Sequence, residues 1–195
     1  MMIPGFRDVF EVDGRAVRER DQRLMNLFMH PNKDAVVQAR RVVDESSRYN
    51  LNPWDGGINR TINQPFMALK FLRALNHGRS TFRFERSPVS EPSGPVRLTF
   101  QEFARPRLIL SPDNAAAQGA FTIDPTTGRV TSSELDIQTG RTRIRIHVAF
   151  AEHEKLHLWL PSSMDESYTS VPPIEGHATY SNFRQFNVAT ETTIK

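Results

Sequence analysis

Residues 141–160, RTRIRIHVAFAEHEKLHLWL, decide the fold. Ile144, Ile146, Val148 and Phe150 alternate with Arg143, Arg145, His147 and Ala149. After a short polar gap, Leu156, Leu158 and Leu160 alternate with His157 and Trp159. A period of two sends the apolar side chains to one face of a strand and the arginines to the other. The stretch therefore reads as the central β-hairpin of an antiparallel sheet.

Working outward from it, the C-terminal half is β throughout. Strand-like runs stand at 81–85, 96–103, 107–110, 119–123, 129–137, 164–169 and from 177 onward, separated by turn-rich segments such as SPDNAAAQ and DPTTG. Asp124 to Gly128 reads as a type I turn closed by glycine. Strands this close, with no helices between them, must run antiparallel.

The N-terminal third reads differently. FRDVFEVDGRAV is a hairpin around Asp13-Gly14, a pair able to take positive φ. Helices are expected over about 20–29 and 33–49, the second capped by Asn32 and carrying Ala35, Val36, Ala39, Val42, Val43 and Tyr49 on its apolar stripe. A third, PFMALKFLRALN, starts at Pro65 and stops before Gly78. It is apolar nearly all round, so it should be buried. Residues 50–64, with Trp54 and Ile58, form a long loop of the kind that rims sites.

The expected architecture is α+β: a curved, half-barrel-like antiparallel sheet of about eight to ten strands with three N-terminal helices on its concave face. One domain spans 1–195, made of a hairpin at 1–17, a helical insert at 18–78 and a β-meander at 79–195.

Composition sets limits on function. The chain has 195 residues and no cysteine, which excludes disulfides, thiolate catalysis and Cys-based metal centres. Its formal charge of +3 does not call for a nucleic-acid partner. No apolar run approaches the roughly 20 residues of a bilayer span.

Three candidate sites follow. A ligand pocket is expected between the third helix, through Phe66, Leu69, Phe71 and Leu72, and the inward residues Ile144, Ile146, Val148 and Phe150. His153-Glu154-Lys155-Leu156-His157 matches the H-E-x-x-H zinc signature. That signature works on a helix, where its two His lie one turn apart with Glu as general base. In an extended strand they stand about 13 Å apart. Here the motif runs from a hairpin turn into a strand, so it is read as a turn, and a zinc hydrolase with Glu166 or Glu175 as third ligand is the alternative. The basic row Arg141, Arg143, Arg145 and His147 could meet an anion or nucleic acid, or pair with Glu134 and Asp136 on the next strand. Asp8, Glu11 and Asp13 are explained by the hairpin, Ser162 and Ser163 lack a nucleophile context, and Tyr180, Phe183 and Phe186 read as core aromatics.

The segments FRDVFEVDGRAVRERDQRL, RYNL, GAFTIDPTTGRVTSSEL, LHLWLPSSMDESY and ATYSNFRQFNV resemble a family of uncharacterised, predicted secreted proteins of soil bacteria. The resemblance covers nearly the whole chain. It implies a periplasmic or secreted location, an upstream part with a signal peptide preceding Met1-Met2, and a variable turn where HEKLH stands. FTIDPTTGRVTSSEL within a meander is also similar to the lipoprotein-carrier fold, a half-barrel with helices over its open side. Together these imply a non-enzymatic envelope protein binding a lipid or a protein partner, with no cofactor.

Overall fold

The computed structural model describes residues 8–17, 20, 22–29, 33–47, 64–85, 94–111, 113–169 and 171–185. The chain divides into two compact units, 1–52 with 184–195, and 53–183.

In the first unit, β1 (Glu11–Val12) and β2 (Arg15–Ala16) form the expected hairpin, with Asp13 and Gly14 at φ 50° and 71°. The helices are shorter than expected: α1 is Arg23–Met29 and α2 is Ala35–Ser47. Val42 is buried, but Val36 is 66 % exposed and does not belong to the apolar stripe. Asn32 and Tyr49 lie outside the described residues. The unit is tied by ion pairs. Asp8, its side chain 5 % exposed, accepts from Arg23 Nη2 at 2.8 Å and Arg20 Nη1 at 3.2 Å. Glu45 on α2 takes the other ends of both guanidiniums. Two arginines shared between two carboxylates thereby join the hairpin's flank to both helices.

The second unit is a seven-stranded antiparallel sheet in chain order: β3 (Ser80–Glu85), β4 (Val96–Glu102), β5 (Ala117–Ile123), β6 (Val130–Thr139), β7 (Thr142–His153), β8 (Leu158–Tyr168) and β9 (Ile174–Thr179). An α+β class with a β-meander is what the alternation predicts. Among the described residues the sheet has seven strands rather than eight to ten, because β1 and β2 pair there only with each other and 107–110 is not a strand. Residues 103–116 are instead a connection pinned by Glu102, which is 2 % exposed and accepts from Leu108 N at 2.8 Å and Ala117 N at 3.2 Å. The apolar run there reflects Ile109, which plugs the core at 1 % exposure.

One face of the sheet is apolar. Register aligns Val96, Leu98 and Phe100 with Ile123, Phe121 and Gly119, then Leu135 and Ile137 with Ile146 and Ile144, then Val148 with Met164. Burying each such side chain contributes about 1.5–3 kcal/mol, so this face carries most of the unit's stability. Gly119 is required by a close approach: a Cβ there would overlap the Glu134 carbonyl and lie 2.8 Å from Phe100 Cε1.

The third helix is not α-helical. Ala68–Leu72 and Ala74–Arg79 are two 3-10 turns, split where Arg73 turns extended at ψ 137°. Asn76 Nδ2 donates to Lys70 O at 2.8 Å across the break. Met67, Ala68 and Phe71 are buried, and Phe71 stacks on Phe100 at 4.5 Å. Leu75 is 88 % exposed, so the helix is not buried all round. The break turns Leu75 outward, while His77 of the second half still meets Phe82 of β3 edge-on at 6.2 Å.

β8 is one strand through Pro161, where two strands separated by residues 161–163 were expected. Phe150 pairs with Pro161 but Ala149 pairs with Ser163, leaving one extra residue in β8. A bulge is the way a sheet tolerates a residue with no N–H to give. Leu158 and Leu160 consequently stand opposite His153 and Ala151, the positions that alternate with Phe150, and Leu156 lies in the turn.

Candidate functional site

The hairpin end carries the HEKLH motif. His153 closes β7, residues 154–157 form the turn and Leu158 pairs back with His153. Leu156 N donates to His153 O at 3.1 Å, and His157 sits at φ 49°. The motif is neither helical nor fully extended, so the 13 Å spacing of a straight strand does not apply. The His153 ring packs edge-on against Phe183 at 5.5 Å, its Nδ1 buried with no hydrogen-bond partner. Glu166 accepts from Tyr168 Oη at 2.7 Å instead of reaching toward the motif. Among the described residues no group of three His, Asp or Glu is gathered to hold a metal ion.

The residues expected to line a pocket occupy the sheet's apolar side. Ile144, Ile146, Val148 and Phe150 are 0–7 % exposed, and Phe71 is fully buried. Leu69 and Leu72 are half-buried, and Phe66 is 40 % exposed. Phe71 meets β4 through Phe100, which in turn stacks on Phe121 of β5 at 5.2 Å. The ring of Phe71 thus joins the aromatic stack of β4 and β5, while the 3-10 segment also lies against β6, the neighbour of β7.

The arginine row lies on the opposite face, and acids on neighbouring strands answer it. Arg143 Nε donates to Asp136 Oδ2 at 2.9 Å, and Arg145 lies 3.8 Å from the same carboxylate. Glu134 was the other expected partner, but it takes a bidentate pair from Arg97, with both contacts at 2.7 Å, across the intervening β5. Arg97 holds the Glu134 carboxyl below the usual glutamate range, chiefly through these bonds and against the opposing effect of burial. Arg141 falls at the β6–β7 turn, outside the row.

Sequence reading missed the row beside it. Glu134, His147, Asp165 and His177 stand in register across β6, β7, β8 and β9. Asp165 is shared: His177 Nδ1 lies 2.6 Å from one oxygen and His147 Nδ1 3.9 Å from the other. With Asp136, Arg145 and Glu175 they line an open trough of about 800 Å³. Glu134, Asp136, Asp165, Glu166 and Glu175 outnumber Arg143 and Arg145 along it, so the trough is acidic on balance and does not draw in an anion or a nucleic acid. The Glu134–His147 step was legible, since a two-residue turn at Gly140-Arg141 fixes it. The steps to Asp165 and His177 were not, because they depend on the bulge at Pro161 and on the turn into β9.

No helix among the described residues is long and apolar enough to cross a membrane. Compared with protein-family models, with curated proteins and with solved structures, the chain has no match.

Proposed function

We propose that this chain is a non-enzymatic cell-envelope protein that holds an apolar ligand, such as a lipid chain, on the apolar face of its sheet. In this reading the sheet curves as a half-barrel around the Ala68–Leu72 segment, in the manner of the lipoprotein-carrier fold, and the protein works after export. The observation that carries the reading is the segregation of the two faces. The β7 row Ile144, Ile146, Val148 and Phe150 is withdrawn from water, while the charges stand on the other face, Arg143 and Arg145 against Asp136 and His177 against Asp165. The same segregation favours binding over hydrolysis, since the HEKLH residues are occupied in a turn and in packing against Phe183.

The test is titration of the purified chain with a fluorescent fatty-acid analogue. Saturable binding at one probe per chain is expected, abolished by Ile146→Trp, whose bulk would occupy the place this reading gives the ligand, with the melting transition followed as a control for folding. An absence of saturable binding, or binding indifferent to Ile146→Trp, ends the reading.

A further inference from the structure

The sheet's first edge has the features of a self-pairing surface. Among the described residues β3 pairs only with β4, and the register of that pair puts Phe82 and Phe84 on the apolar face and Arg83 and Glu85 on the polar one. At the centre of the sheet the equivalent apolar positions are dry, but Phe84 is 71 % exposed. An open strand edge with an exposed aromatic is a template for another strand.

Two-fold symmetry selects the occupant. Antiparallel pairing of β3 with the β3 of a second copy keeps each face of the sheet continuous only if facing residues have the same parity. Centring the axis on Arg83 sets Arg against Arg, which is unfavourable. Centring it on Phe84 sets Phe84 against Phe84 of the second copy and Arg83 against Glu85 twice over. Arg83 forms no ion pair among the described residues, and Glu85 holds Arg97 only at 3.8 Å, so both can turn to these partners. The other edge is less suited: on β9 the apolar-side residues Ile174, Gly176 and Ala178 are partly covered, and His177 is committed to Asp165.

We propose that β3 pairs with β3 of a second copy of this chain, across a two-fold axis at Phe84, to make one continuous sheet. An isologous contact of this kind closes at two copies. The charges on β3 are thereby recognition elements, where on most edge strands they act only to repel neighbours.

Sedimentation velocity of the full chain over a range of concentration tests this directly. The mass should move from one chain to two as concentration rises. Arg83→Glu and Glu85→Arg should each weaken self-association by about tenfold or more, since each replaces two attractive cross-strand pairs with two repulsive ones. Mixing the two variants should restore a dimer. In the mixed pair, each contact between position 83 of one chain and position 85 of the other again joins a carboxylate to a guanidinium. That restoration also shows that both variants are folded. A single-chain mass at every concentration, association indifferent to both reversals, a mixture that fails to pair, or growth beyond two copies would each overturn the proposal.

Discussion

His157 occupies left-handed backbone, φ 49°, at a position where a side chain with a Cβ is strained. His157→Gly should therefore stabilise the protein by about 0.5–1 kcal/mol in chemical denaturation. A zinc ligand would behave oppositely, losing stability and bound metal together. Gly119 is the converse case: a Cβ has no room between the Glu134 carbonyl and Phe100, so Gly119→Ala should cost about 1–3 kcal/mol. Glu102 is a buried acceptor for two backbone N–H groups, at Leu108 within the 103–116 connection and at Ala117 just after it. Glu102→Ala orphans both and should cost about 1–3 kcal/mol, and Glu102→Gln, which keeps one acceptor oxygen, should cost less. None of these three roles was readable from the chain. Gly119 and Glu102 sit in strands whose patterns are otherwise ordinary, and their demands come from groups on other segments, the Glu134 carbonyl and the Ala117 N–H.

Among the elements, β7 was legible to within a residue or two because it is long, β-branched and strictly alternating. The third helix was not. Its composition suits an α-helix, but the extended residue Arg73 breaks it into two short turns, and only Pro65, Met67, Ala68 and Phe71 are buried. β4 and β6 are cross-braced over β5 by Arg97 and Glu134. Glu134 has its pKa lowered by Arg97, so its contribution is full above the ordinary value of 4.5 and is lost as pH falls through the depressed value. Arg97→Ala should remove that part of the acid dependence. The variant's stability, followed by denaturant titration at descending pH, should fall less steeply below about pH 4.5 than that of the parent.

At the scale of the whole molecule, a net charge of +3 and a paired arginine row predict little affinity for nucleic acid. The chain should give no retarded band with duplex DNA at physiological salt; tight binding that weakens steeply with added salt would show that the Asp136 and Glu134 pairings open. The candidate pocket was legible only as a list of inward residues. Which of them face Phe71, and across how many strands, depended on where the 3-10 segment came to rest.

The order of hydrophobic and polar residues by itself determined an antiparallel meander with one dry face, because a two-residue period admits no other placement of the side chains. It also determined the tight turns at Asp13-Gly14 and Asp124–Gly128, where the residue types meet the backbone's need directly. Tertiary structure alone decided the cross-strand neighbours beyond the first hairpin. One surplus residue beside Pro161 advances the register of β8 and brings Asp165, instead of Met164, alongside His147. Such a shift is set by the packing of whole strands, in which each local preference is too weak to choose.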